Sequence, residues 1–224
     1  MINWYKTPKL VQWMFPSRIW TFPKESNAVY LTFDDGPISN ITPWVIQELK
    51  KRDAKATFFC IGKNIQKYPE IFKTLISEGH AIGNHTYNHL NGWKTSASEY
   101  VKNVLLAEAE ANKWNQTAKI KNSSSIASAK ENKKPLFRPP YGKITSKQSK
   151  NLQKKGYQII MWDILSADYS TISEEKCLQN ALRSIAPGSI VVFHDSLKAE
   201  KNLRYALPKV LDFIYNKGWT CEEI

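Results

Sequence analysis

The sequence predicts an α/β fold, a closed or nearly closed barrel of about seven parallel strands in a single domain. Two observations carry that expectation. Apolar runs of strand length alternate with helix-period segments along most of the chain, the signature of parallel strands joined by right-handed helical crossovers. The 224 residues, 42% of them hydrophobic, suffice for one substantial core. α/β barrels of ~200–250 residues routinely form one domain.

The elements follow in order. Residues 28–33 read as the first strand, leading to a helix over 43–52 with Thr42 as N-cap and Pro43 at the first helical position. Residues 56–61 form the next strand and 67–78 a helix. Residues 81–83 are a short strand, and 100–114 are strongly helical with Ser96 or Ser98 as the start signal. A short strand at 136–138 precedes a helix at 146–155. Strands at 158–162 and 189–194 are each followed by a helix, at 173–184 and 203–217, and 219–221 close the sheet.

Two segments stand outside this rhythm. Residues 120–135 are polar, Ser/Lys-rich and aperiodic, and read as a mobile surface loop or short flap. Residues 1–27 carry Trp4, Tyr5, Trp13, Phe15, Trp20 and Phe22 among basic residues. Pro8 and Pro16 break this stretch, so it is expected to pack on the barrel as a plug or clasp rather than to form an amphipathic membrane anchor. The catalytic unit is then 28–224.

Composition narrows the function classes. The net charge of +12 favours acidic surfaces, such as an acidic glycan or an anionic membrane face. No nucleic-acid-binding motif accompanies the charge, and the lysines are scattered over helices, so no nucleic-acid partner is expected. Three cysteines, Cys60, Cys177 and Cys221, have no metal-type spacing and form no disulfide framework. No stretch has the length and apolarity of a membrane span, and no secretory signal is visible, which favours a cytoplasmic location.

Polar residues gather where strands end, the place where α/β barrels keep their sites. Asp34 and Asp35 follow the first strand, His85 the third and Arg138 the fourth. Asp163 and Asp168 follow the fifth, and His194 ends the sixth. His85 and His89 are four residues apart, so a helical turn there would put both imidazoles on one face. One carboxylate, from Asp34 or Asp35, would complete a two-His, one-carboxylate metal set with positions left open for water and substrate. The adjacent carboxylate would be free to act as base. The pattern points to a metal-dependent hydrolase, and no Gly-x-Ser-x-Gly elbow indicates a covalent intermediate.

The segments Thr32-Phe33-Asp34-Asp35-Gly36-Pro37, His85-Thr86-Tyr87-Asn88-His89, Arg138-Pro139-Pro140-Tyr141-Gly142, Trp162-Asp163 with Asp168-Tyr169, and Val192-Phe193-His194 resemble, in order, the five motifs of the polysaccharide deacetylases, carbohydrate esterase family four. The resemblance runs from about Ala28 to the C-terminus. It implies a distorted (β/α) barrel that removes acetyl groups from glycans with one divalent metal, most often zinc, with cobalt, nickel or manganese able to occupy such a site. It makes Asp35, His85 and His89 the metal ligands, Asp34 the general base and His194 the general acid. Arg138 pairs with Asp34, Asp168 pairs with His194, and the Tyr141 backbone N–H helps bind the oxyanion. Thr86, between the ligands, helps orient the site by hydrogen bonding. Tyr141, Tyr169 and Val192 are the expected substrate contacts. The chain departs from the family at Leu165, where an Asp is usual, and at Tyr169, where a Trp is usual; both bear on groove shape.

The expected substrate is an N-acetylated sugar in a glycan, with N-acetylglucosamine the expected unit. An O-acetyl esterase of a polysaccharide such as xylan would use the same site, and a non-catalytic glycan-binding module is the reading from a different class.

Overall fold

The computed structural model describes residues 5–121 and 134–224. Strand β1 (Ala28–Asp34) lies at the centre because its residues suit two different surroundings. Val29, Leu31 and Phe33 are fully buried on the outer face, in the cluster that also holds helix residues Val45, Leu49, Leu207 and Leu211. Thr32 and Asp34, offset by one, belong to the barrel interior; side chains alternate faces along a strand, so one apolar run supplies both a core lane and a polar lane.

Around β1 run β2 (Thr57–Cys60), β3 (Ala81–Asn84), β4 (Leu136–Phe137) and β5 (Gln158–Ile159) on one side. On the other side come β7 (Ile190–His194) and then β6 (Ile164–Leu165). The order is β5-β4-β3-β2-β1-β7-β6, with β8 (Thr220–Cys221) pairing the start of β1, and all these pairings are parallel. This is the expected α/β architecture: a half-barrel of seven parallel strands with helices outside, plus the short β8. The helices are α1 (Lys9–Met14), α2 (Ile41–Lys50), α3 (Gly62–Lys67), α4 (Pro69–Ser77), α5 (Ala97–Lys121), α6 (Ser146–Lys154), α7 (Glu174–Leu182) and α8 (Glu200–Asn216). Helix α8 buries Leu203, Ala206, Leu207, Val210, Leu211 and Ile214, a stripe of helical period.

The two sheet edges, β5 and β6, are joined by the N-terminal segment. Ile19 bridges to Ile160 in parallel sense and Lys6 to Ile164 in antiparallel sense. The Thr7 amide donates to the Asp163 carbonyl at 2.8 Å and the Met161 amide to Ile19 at 2.7 Å. Trp20 is buried, with Val11 and Phe15 packed beside it against Leu152 and Tyr157. These contacts cover edge backbone that would otherwise be unpaired.

Several local expectations are corrected. Thr42 is inside α2 rather than its N-cap; Asn40 holds that place with φ 68° and no side-chain cap. The Thr42 hydroxyl instead accepts from the Ile38 amide and donates to Asp195. The helix expected at 67–78 is α4, which starts at Pro69; Tyr68 (φ −128°, ψ 57°) separates it from α3, which was not expected, because Pro69 disfavours a helical residue before it. The strand expected at 158–162 stops at Ile159, and β6 was not anticipated. Helix α5 continues past Trp114 to Lys121, into the stretch read as a loop, and residues 122–133 of that stretch lie outside the described residues. Among the described residues no helix is long and apolar enough to cross a membrane.

Candidate active site

Asp34 and His194 end adjacent strands and are partners in register, so the carboxylate and the imidazole arrive side by side at the same rim. Beneath Asp34 lies Arg138, fully buried although charged. Its Nη1 donates to Asp34 Oδ1 at 2.8 Å and to Thr32 Oγ1 at 2.7 Å, and its Nη2 to the Met161 carbonyl at 3.0 Å. The guanidinium also lies 4.1 Å above the Phe59 ring. A buried cation is tolerated only when its donors are used and its charge is matched, and Arg138 meets both conditions.

After β1 the chain turns sharply. Asp35 adopts φ 85°, in the left-handed region, and the Gly36–Pro37 peptide is cis. The turn is held by Asp195, a fully buried carboxylate whose Oδ1 accepts from the Gly36 amide at 3.0 Å and whose Oδ2 accepts from Thr42. A β-carbon on Gly36 would sit 2.0 Å from Asp195 Oδ2, so only glycine fits. Burial pushes the Asp195 carboxyl up to about 8, with the Asp35 charge adding to the effect. Asp195 was missed as a positioning residue; its one sequence signal was an acidic residue directly after His194.

His85 and His89 do not meet on a helical turn. Residues 85–90 form a loop in which Thr86 (φ 63°) and His89 (φ 56°) are left-handed. The loop is braced by the Leu90 amide, which donates to Thr86 Oγ1, and by the Thr86 amide, which donates to Asn84 Oδ1. The expected convergence therefore arises from two left-handed residues and not from helical period.

The ligand atoms of Asp35, His85 and His89 all lie within 4.8 Å of one another. His85 Nδ1 is 2.8 Å from the Arg138 carbonyl. A carbonyl can only accept, so Nδ1 carries the proton and Nε2 presents a lone pair. His85 Nε2 is 3.9 Å and His89 Nε2 3.3 Å from Asp35 Oδ1. That oxygen is buried and has no hydrogen-bond partner. The His85 lone pair and a buried, unpartnered carboxylate oxygen repel unless a cation lies between them, and His89 Nε2 stands beside the same oxygen, so these residues fit a divalent ion with nitrogen and oxygen ligands. The histidines' electrostatic environment agrees: burial pushes His85 down to about 4, keeping it neutral. Burial pushes the Asp35 carboxyl up, but the surrounding histidines His89, His194 and His85 outweigh it and hold the group well below the usual carboxylate range. His89 Nδ1 lies 3.0 Å from the Tyr141 hydroxyl, and the two rings pack edge to face at 4.5 Å.

Opposite this cluster, His194 Nδ1 is 2.8 Å from Asp168 Oδ1. Burial alone would lower the His194 value, but the Asp168 charge and hydrogen bond override it and raise it to about 9. Tyr169 packs edge-on against His194 at 4.8 Å. Val192 shares the interior lane of β7 with His194 and is buried, while Leu165 pairs with it in register from β6. Tyr141 is 61% exposed at φ 60°, in a single 3-10 turn at Pro140–Gly142.

Asp163 corrects another expectation. It does not face the site: it accepts from the Ile190 amide at 2.9 Å, from Ser189 Oγ, and from Lys6 at 2.7 Å. It is therefore a buried tether for the N-terminal segment. The fourth histidine, His80, lies apart, beside Phe58.

Fold and site geometry together are those of the polysaccharide deacetylase class. The polysaccharide deacetylase family profile matches residues 22–160, and the chain belongs to that family. It is 35% identical over 198 residues to a peptidoglycan-N-acetylglucosamine deacetylase of Bacillus cereus, covering 88% of this chain and 66% of that relative. It is 29% identical over 172 residues to a chitooligosaccharide deacetylase of Azorhizobium caulinodans, covering 77% and 75%. Among solved structures, the Bc1960 peptidoglycan N-acetylglucosamine deacetylase superposes with a TM-score of 0.82 at 30% identity, covering 97% of this chain and 95% of the other.

Proposed function

We propose that the chain is a metal-dependent deacetylase that hydrolyses the acetamide of N-acetylglucosamine units in a glycan. The observation that carries this reading is the ligand cluster Asp35–His85–His89 set between two separately partnered proton-transfer groups, Asp34 with Arg138 and His194 with Asp168. The relatives' names supply the substrate class: two act on peptidoglycan or chitooligosaccharide.

Asp35, His85 and His89 would hold the ion, with zinc the best match to a set of two imidazoles and a carboxylate. Bound there, a divalent ion would supply Lewis acidity, lowering the pKa of a water and polarising the acetyl carbonyl. Asp34, kept in place by Arg138 and Thr32, takes the proton from the attacking water. The amide N–H of Tyr141 donates to the oxyanion that develops on the acetyl oxygen. His194, charged through Asp168, gives its Nε2 proton to the departing amine, which leaves only when protonated. Tyr169 and Val192 shape the pocket on the acid side, and Tyr141 shapes it on the metal side.

Acetate release from N-acetylglucosamine oligomers, with and without a chelator, tests this reading. Asp34→Asn and His194→Ala should each lower turnover by ~10²–10⁴-fold while keeping the metal. An activated acetyl ester, whose leaving group needs no proton, should partly rescue only the His194 variant. Undiminished turnover by either variant on the acetamide would overturn these roles.

A further inference from the structure

Two of the site histidines, His89 and His194, are each flanked by a tyrosine ring, and each of those rings carries a lysine. On the metal side His89 packs on Tyr141, and Lys143 Nζ lies 6.0 Å from the Tyr141 ring and 5.2 Å from that of Trp93. On the acid side His194 packs on Tyr169, and Lys198 Nζ lies 5.9 Å from the Tyr169 ring. Among the described residues neither lysine forms an ion pair with a carboxylate. Two unmatched cations therefore stand on opposite sides of one reaction centre.

The metal-side platform is built, not incidental. Trp93 is 66% exposed, although an aromatic ring of that size gains from burial. Its backbone is nevertheless fastened down. Fully buried Gln148 donates from Nε2 to the carbonyls of Gly92 (2.8 Å) and Thr95 (3.0 Å), and Asn91 Oδ1 accepts from the Trp93 amide. Gln148 also closes the capping box of α6 with Thr145. The two segments are so close that a β-carbon on Gly92 would lie 2.4 Å from the Lys143 carbonyl oxygen. Trp93 and Lys143 are thus fixed relative to each other, an aromatic surface with a cation at its edge. A sugar ring stacks on such a surface by its apolar face, and a carboxylate on that sugar is matched by the ammonium group.

We propose that Lys143 and Lys198 recognise carboxylates on the units flanking the deacetylated sugar, so that the preferred substrate is an acidic rather than a neutral N-acetylated glycan. This rests on the deacetylase reading above. Trp93 supplies the stacking surface for the metal-side unit. The selectivity lies in binding, because neither lysine reaches the reacting atoms through anything but an aromatic neighbour.

The test compares acetate release by the metal-loaded enzyme from three substrates. These are neutral N-acetylglucosamine oligomers, glycan repeats whose alternate sugars carry a lactyl-ether carboxylate, and the same repeats bearing a short acidic peptide. The enzyme should show a lower KM for at least one acidic substrate, and which one locates the carboxylate on the sugar or on its substituent. Lys143→Gln and Lys198→Gln should each reduce the acidic-to-neutral ratio of kcat/KM by about 1.5- to five-fold, the range for exposed charge pairs. The change should fall in KM, and raised salt should mimic it. Trp93→Ala should raise KM with little change in kcat. Equal KM for neutral and acidic substrates, or an equal loss on both in the lysine variants, overturns the proposal and leaves the deacetylase reading standing. Absence of acetate from all three substrates overturns the deacetylase reading itself.

Discussion

Asp168 holds His194 at two points: Oδ1 accepts from the ring Nδ1 at 2.8 Å, and Oδ2 accepts from the backbone N–H at 2.7 Å. One carboxylate therefore fixes the ring's position, its tautomer and its charge. The tautomer leaves Nε2 facing the site, and the charge makes it a proton donor at neutral pH.

The first prediction concerns pH. The folded His194 value is raised to about 9 from an ordinary 6.5. Its stabilising contribution is therefore complete below about pH 6.5 and is lost as pH rises through about 9. Turnover should fall over the same alkaline range. In Asp168→Asn the burial effect remains without the compensating charge, so the alkaline limb of kcat should move below pH 6.5. An unmoved limb, measured on an acetamide substrate, would remove His194 from the acid role.

Metal retention provides the second. His85→Ala deletes a proposed ligand whose ring is oriented by the Arg138 carbonyl, so elemental analysis should show metal binding lost together with turnover. Full occupancy in the variant would mean that the ion sits elsewhere.

Replacing Gly36 by alanine should destabilise the protein by ~1–3 kcal/mol, the usual range for overpacking, because the new methyl meets the Asp195 carboxylate. The displaced turn carries Asp35, so metal affinity should drop as well. Urea melts combined with metal titration would read both effects; an unchanged midpoint would show that the Asp195 contact is not rigid.

Arg138→Met should cost ~3–5 kcal/mol, since it leaves Asp34 as a buried charge without its partner. Arg138→Lys should recover only part of this, because one ammonium cannot reach Thr32, Asp34 and Met161 together. Chemical denaturation of the three proteins gives the ranking.

Asp163 separates architecture from chemistry. Asp163→Ala strands the Ile190 amide and should lower stability by ~1–3 kcal/mol, while the metal content stays at the level of the parent. Loss of the ion in this variant would place Asp163 in the site after all.

The sequence by itself determined the strand–helix alternation, and with it the parallel sheet and the rim where functional groups gather. Apolar runs such as Leu31–Phe33 and Val191–Phe193 are local signals, and a strand's C-terminal end is a position that can be read from one dimension. Asp34, Asp35, His85, Arg138, Asp168 and His194 were all legible as candidates for that reason. What only the tertiary structure decided depends on partners distant in sequence. Asp163 ends no functional lane because Lys6 and Ile190 claim its carboxylate. Asp195 matters through Gly36, 159 residues away. Thr42 looked like a cap, but its hydroxyl is spent on Asp195 and Ile38. His85 and His89 converge through left-handed residues at 86 and 89, in a loop held by the amides of Gly62 and Lys63, which donate to the Thr86 and Tyr87 carbonyls, and by Asn103, which accepts from the Tyr87 amide; no helical period foretells such a backbone. The sheet edges were decided in the same way: β6 is two residues long, too short to declare itself, and the backbone of Lys6 and Ile19 covers the edges at β6 and β5 because unpaired edge groups need partners that only the folded chain brings near.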